Sequence, residues 1–175
     1  MRKILRVFPA VLLVIALLTG CGDKSYEEGM EQLKSGKYKE AEASFKQAVD
    51  KENNLADSYR GLGIACFEQK DYEGAKEAFE QALKEGSRKT GTIYNFLGSC
   101  ELELENYEAS LSCYEKGLAA EGNSKKLIQE MEYNMIVAYE GMEDWDQAKE
   151  KLEDYLDKYP DDEEAAKEAE FLKTR

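Results

Sequence analysis

The sequence predicts an all-α protein, a solenoid of about four helix-turn-helix units closed by one C-terminal capping helix. Three observations carry this reading. The aromatic residues Tyr38, Tyr72, Tyr107 and Trp145 recur at intervals of 34, 35 and 38 positions, each opening a similar segment. Within each segment small and large side chains follow one another at offsets of three and four, the spacing of a single helical face. The chain holds only two prolines, Pro9 and Pro160, so nothing between them breaks a long helix.

Residues 1–20 stand apart as a leader. Met1–Arg6 is basic, and Val7–Leu18 is an unbroken apolar run. That run is shorter than the ~20 residues a bilayer span requires but suits the core of a signal peptide. Lysine and arginine ahead of it hold the N-terminus on the cytoplasmic side. Leu18-Thr19-Gly20-Cys21 resembles the bacterial lipobox: a branched apolar residue, two small residues and a cysteine. The resemblance implies diacylglycerol on the Cys21 thiol, cleavage before it and acylation of the new amino group. The mature chain would then be anchored on the extracytoplasmic side of a cell membrane. Several acyl chains, at ~0.8 kcal/mol per buried methylene, make such an anchor effectively permanent. Residues 21–24 are the lipidated N-terminus and a short linker.

The repeats begin at Ser25. Three residues after each aromatic marker comes a small side chain: Ala41, Ala75, Ser110 and Ala148. Four further on stands a large one, Phe45, Phe79, Tyr114 and Leu152, and three beyond that Ala48, Ala82, Gly117 and a discordant Tyr155. A helix precedes each of these, with Gly29, Gly63 and Gly98 at the matching close-approach position and Ile136 in the last unit. Small residues let two helices approach, and the large residue fills the space between turns. Asp71, Asn106 and Asp144 sit directly before the aromatic and are expected to cap the second helix. Ser25 with Glu28, and Asp144 with Gln147, have capping-box spacing. The units run over about 25–55, 56–89, 90–124 and 125–160. Over 161–175 a capping helix is expected, started by Asp161 and Glu164 and burying Ala165, Ala169 and Leu172 on one face.

This pattern resembles the tetratricopeptide repeat, whose period is near 34 residues and whose units place small, aromatic and small residues in that order. Units one and two fit best; unit four departs most, at Ile136 and Tyr155. The resemblance covers about residues 25–160 and implies a right-handed α-solenoid. In that family the first helices line a concave face, here Tyr26, Met30, Leu33, Arg60, Ile64, Phe67, Asn95, Ser99, Leu102, Tyr133, Val137 and Glu140. A groove of this kind takes an extended segment or helix of another protein. Arg60, Asn95 and Tyr133, with Tyr26 and Phe67, are the expected partner-binding residues.

Composition narrows the function further. The leader holds three of the 24 basic residues and none of the 37 acidic ones, so the remainder carries a net charge of −16. Such a surface repels phosphate backbones, which excludes nucleic acid as a partner. The chain has no histidine, which removes the commonest general base and the usual imidazole ligand. Carboxylate-pair chemistry on a glycan is open to so acidic a chain, but no spacing singles out a pair. No catalytic residue, metal site or cofactor is therefore expected, and the protein reads as a non-catalytic scaffold. Cys66, Cys100 and Cys113 fall on helices with apolar neighbours and read as small buried residues; three thiols leave at least one unpaired within a monomer. Tyr159-Pro160-Asp161 followed by Ala165 and Ala166 also resembles repeat ends of envelope-assembly and cell-division lipoproteins, a second reading of the same array.

Overall fold

A computed structural model describes residues 23–175; the leader and Cys21 lie outside them. The described residues form nine α-helices and no strand. Their order is α1 (Ser25–Lys34), α2 (Tyr38–Asp50), α3 (Leu55–Glu68), α4 (Tyr72–Lys84), α5 (Gly91–Glu103), α6 (Tyr107–Leu118), α7 (Lys125–Gly141), α8 (Trp145–Lys158) and α9 (Glu163–Leu172). Each helix packs on its chain neighbours, and α1 on α3, α3 on α5 and α5 on α7. That is a solenoid of helical hairpins.

One turn geometry joins the two helices of every hairpin. Gly36, Lys70, Glu105 and Glu143 each adopt positive φ, between 57° and 70°, two residues before the aromatic marker. The following amide then reaches back to close the preceding helix: Lys37 N to Gln32 O, Asp71 N to Cys66 O, Asn106 N to Glu101 O and Asp144 N to Tyr139 O, at 2.8–3.0 Å. This is a Schellman closure, which satisfies carbonyls that a helix end leaves without partners. Only the first unit supplies glycine at the strained position. The other three hold a left-handed residue with a side chain, at a cost of about 1 kcal/mol each.

Capping agrees with expectation at two sites and departs from it at three. Asp71 accepts from Gly74 N at 3.1 Å, and Asp144 from Gln147 N at 3.2 Å. Asn106 does not cap α6, because its amide is drawn aside to donate to Glu101 Oε2 at 2.9 Å. Ser25 does not cap α1 either. Asp23 accepts from Ser25 N at 2.8 Å instead, and its other oxygen pairs with Lys51 at 3.0 Å. A carboxylate that also reaches the end of α2 displaces the hydroxyl from this role. At α9 the cap is Asp162 rather than Asp161, accepting from both Glu164 N and Ala165 N.

Inside each hairpin the small and large positions interlock. A Cβ added at Gly29 would lie 2.9 Å from the Phe45 ring, at Gly63 2.9 Å from Phe79, and at Gly98 2.6 Å from Tyr114. All three aromatics are fully buried. The last unit solves the same fit with other volumes: Ile136 stands where the glycine was, Leu152 where the aromatic was, and both are buried in one cluster. Aromatic rings also bridge units. Tyr107 covers Gly141 of the next first helix, and Phe67 meets Tyr72 and Phe96 edge-on at 5.5 and 5.2 Å. Tyr155 is also buried, between Tyr133 and Tyr159, and its hydroxyl donates to Asp162 Oδ2 at 2.7 Å. The discordant residue of unit four thus anchors the carboxylate that starts α9.

The interlock is testable by urea denaturation. Gly63→Ala is expected to cost about 1–3 kcal/mol by overpacking, and Phe79→Leu in the same chain to recover part of that loss by making room for the methyl. Gly36→Ala, whose Cβ would meet nothing, is expected to cost only about 1 kcal/mol through its backbone.

Candidate functional site

The five expected groove residues fall into separate places. Tyr26 is half-buried on α1, edge-on to Phe45 with ring centroids 6.2 Å apart. Arg60 is exposed on α3 and paired with Asp57 of its own helix at 3.0 Å; both charges lie close enough to perturb the Tyr26 phenol. Phe67 sits in the aromatic stack between units. Asn95 is only 7% exposed and donates from Nδ2 to Glu130 Oε1 of α7 at 2.8 Å, while its Oδ1 is buried without a partner. Tyr133 is half-buried on α7 against Tyr155. The structure therefore brings Tyr26 and Arg60 together at one end, and at the other ties Asn95 through Glu130 to the helix that carries Tyr133.

Tyr133, and the Glu130 that Asn95 bonds, border a cavity of about 440 Å³ between α7 and the start of α9, lined by Lys126, Gln129, Glu130, Tyr133, Tyr155, Asp162 and Glu164. Burial raises the Tyr133 phenol above its ordinary range, and the carboxylates of Glu168, Glu140, Asp162 and Glu164 push it the same way. Glu140 itself is pushed up to about 7, chiefly by burial, then by the charge and hydrogen bond of Glu168. Its Oε1 is buried with no hydrogen-bond partner. Asp162 is held low, first by the Tyr155 hydroxyl and then by the Ala165 amide. Sequence reasoning did not single out Glu130, Glu164 or Glu168 for this site. The i, i+3 spacing of Glu130 to Tyr133 was the available signal, and the α9 residues gave none before the packing of α9 on α8, beside α7, was known.

The three cysteines of the described residues are free thiols, Cys66 and Cys100 buried and Cys113 half-buried. Burial pushes Cys66 up to about 11, Cys100 up to about 12 and Cys113 in the same direction. Among the described residues no group of three His, Cys, Asp or Glu side chains is placed to hold a metal ion. No described helix is long and apolar enough to cross a membrane.

Comparison with known proteins points one way. A family model for the tetratricopeptide repeat matches residues 26–88 and 71–124, and a second such model matches 130–162. The TPR repeat-containing protein YsoA of Bacillus subtilis is 31% identical over 93 residues, 53% of this chain and 28% of that protein. Tetratricopeptide repeat protein 12 of Homo sapiens is 31% identical over 94 residues, 54% of this chain and 13% of that protein. The chain thus spans well under half the length of either relative. Among solved structures, MamA from Desulfovibrio magneticus RS-1 superposes with a TM-score of 0.73 at 22% identity, covering 87% of this chain and 84% of that one. YrrB, described as a TPR protein with an unusual peptide-binding site, gives 0.71 at 18% identity, covering 85% and 74%. At these identities the likeness is one of fold.

Two measurements check the site's chemistry. Glu140 keeps a proton in the folded chain between the ordinary carboxylate value of 4.5 and about 7, where the unfolded chain has released it. Stability therefore falls as pH rises through that window and levels off above it. Glu140→Gln is expected to raise the thermal midpoint by about 2–4 °C at pH 8 and to leave it unchanged below the window. Native alkylation of Cys66 and Cys100, read by peptide mapping, is expected to be at least ~100-fold slower than in denaturant, because thiolate is scarce and access is closed.

Proposed function

The chain belongs to the tetratricopeptide repeat family, and from that premise we propose that it is a membrane-anchored, non-catalytic scaffold holding a segment of another protein. The observation that carries this reading is the cavity at the α7–α9 junction. There the Tyr133 ring, the Gln129 amide and the carboxylates of Glu130, Asp162 and Glu164 line one opening. A pocket of a few hundred cubic ångströms with a handful of placed polar groups is the size and character of a recognition site. Tyr26 and Arg60 would engage the same partner at the other end of the first-helix face. That a structural neighbour, YrrB, is described as having a peptide-binding site supports the reading, and the fold alone would not, since it serves many partners.

The anchor rests on sequence: a basic start, an apolar core and Leu18-Thr19-Gly20-Cys21. It would place the array on the extracytoplasmic face of a cell membrane, concentrating it where a partner must be held.

Cells expressing the protein and fed an alkyne-bearing palmitate analogue are expected to label it, and Cys21→Ser to abolish both label and membrane retention. A mature chain with a bare Cys21 by mass spectrometry would remove the anchor from this reading. For the groove, Arg60→Glu with Tyr133→Ala is expected to lower recovery of the protein co-purifying from detergent-solubilised membranes by about tenfold or more. Undiminished recovery counts against it.

A further inference from the structure

We infer that the pocket between α7 and the start of α9 receives a cationic side chain, lysine or arginine, from a basic segment of the partner. This deepens the scaffold reading and rests on it, adding the partner's chemistry at one end of the groove.

Four observations on different residues agree. First, the pocket has an aromatic face in Tyr133, held by its contact with Tyr155 at 5.6 Å between ring centroids. An ammonium or guanidinium within about 6 Å of such a ring is attracted by its quadrupole. Second, carboxylates surround that ring from three directions: Glu130 and Glu140 from α7, Asp162 from the α9 cap, and Glu164 and Glu168 from α9. Of the residues lining the cavity only Lys126 is basic.

Third, two buried oxygens without a donor belong to residues adjoining the lining ones, Glu140 and Asn95, though neither residue forms the cavity wall itself. Glu140 Oε1 is buried with no donor, beside the carboxylate of Glu168. Asn95 spends Nδ2 on Glu130, a lining residue, and the Oδ1 of the same amide is buried with no donor although the residue is only 7% exposed. An ammonium brings three donors and a guanidinium five, with no acceptor of their own. Either suits the lining carboxylates Glu130 and Glu164, in the charge-assisted form that is strongest. Fourth, the requirement is for an organic cation. Among the described residues no three carboxylates come close enough to ligate a metal ion, whereas a spread of acids around a ring suits a long, flexible cationic side chain.

Asp162 is not counted among the available groups. Its oxygens already accept from Tyr155, Glu164 N and Ala165 N. The work of attraction falls on Glu130, Glu164 and Glu168, with Tyr133 as the platform.

The test uses the full-length protein in detergent and three fluorescein-labelled peptides of one design, glycine–lysine–leucine repeats and the same repeats with glutamine or glutamate in place of lysine. Fluorescence anisotropy is expected to show the lysine peptide binding at least ~10-fold more tightly than the glutamine peptide, with affinity that falls as salt rises, and the glutamate peptide not binding. Glu164→Gln with Glu168→Gln is expected to weaken the lysine peptide about tenfold, whereas Glu108→Gln with Glu115→Gln, which removes the same charge from α6, leaves it within about twofold. Tyr133→Leu, with helicity confirmed by circular dichroism, is expected to weaken it as well. Equal losses from the α6 pair would reduce the effect to the protein's diffuse field and overturn the pocket. Glutamine and lysine peptides binding equally, both weakened by Tyr133→Leu, would overturn the cationic pocket and leave the groove standing. No binding by any of the three peptides counts against both.

Discussion

The fit of a glycine against a buried ring is the constraint on which the rest of the molecule depends. Gly29 on Phe45, Gly63 on Phe79 and Gly98 on Tyr114 set how closely the two helices of a hairpin approach, and that spacing sets where the next hairpin can lie. Phe45 is also covered by Gly61 from the following unit, and Phe79 by the stacked ring of Phe96 at 5.1 Å. One aromatic per unit therefore belongs to two layers at once. Tyr114 carries the same duty with a hydroxyl, which the interior tolerates because Ser99 and Asn134 are placed to bond it. Where Ile136 and Leu152 replace the glycine and the ring, isoleucine adds more volume than leucine gives up, and the hairpin persists with both side chains buried.

How far the fold could be read in advance follows from what kind of residue carries each feature. The helix pairs and their interlock were legible because small, large and small side chains at fixed offsets leave a strong periodic trace. The Schellman turns were not, since three of the four left-handed residues are Lys70, Glu105 and Glu143, whose side chains carry no conformational signature. The caps were legible only where one carboxylate had no competing partner. Asn106 was diverted by Glu101, and the roles expected of Ser25 and Asp161 went to Asp23 and Asp162, because those carboxylates also bond Lys51 and Tyr155 across helices. Tyr155, read as a mismatch, proved to be the tie between the fourth hairpin and α9.

The site was less legible than the fold for a physical reason. Residues that face an open groove and residues that pack between units share the same i, i+3, i+4 spacing, so periodicity alone cannot sort them. Phe67 went to inter-unit packing, while Arg60 stayed in solvent. Tyr133 reached the cavity and Asn95 touches it only through Glu130, while the other carboxylates that line it come from α9 and its cap. Their acidity reads on sequence as the solvated face of a terminal helix, and Glu163, Glu164 and Glu170 are all exposed. Only the docking of α9 on α8 beside α7 turns Glu164 and Glu168 toward Tyr133.

Each hairpin turn satisfies its own carbonyls from within its own unit, and each layer touches only the layers beside it. A whole unit could therefore be gained or lost at a boundary without disturbing distant layers, as in other quasi-one-dimensional folds. Array length is thus an easily varied quantity in this architecture, whereas the junction that carries Asp162 and Tyr155 is specific to the terminus and must travel with it.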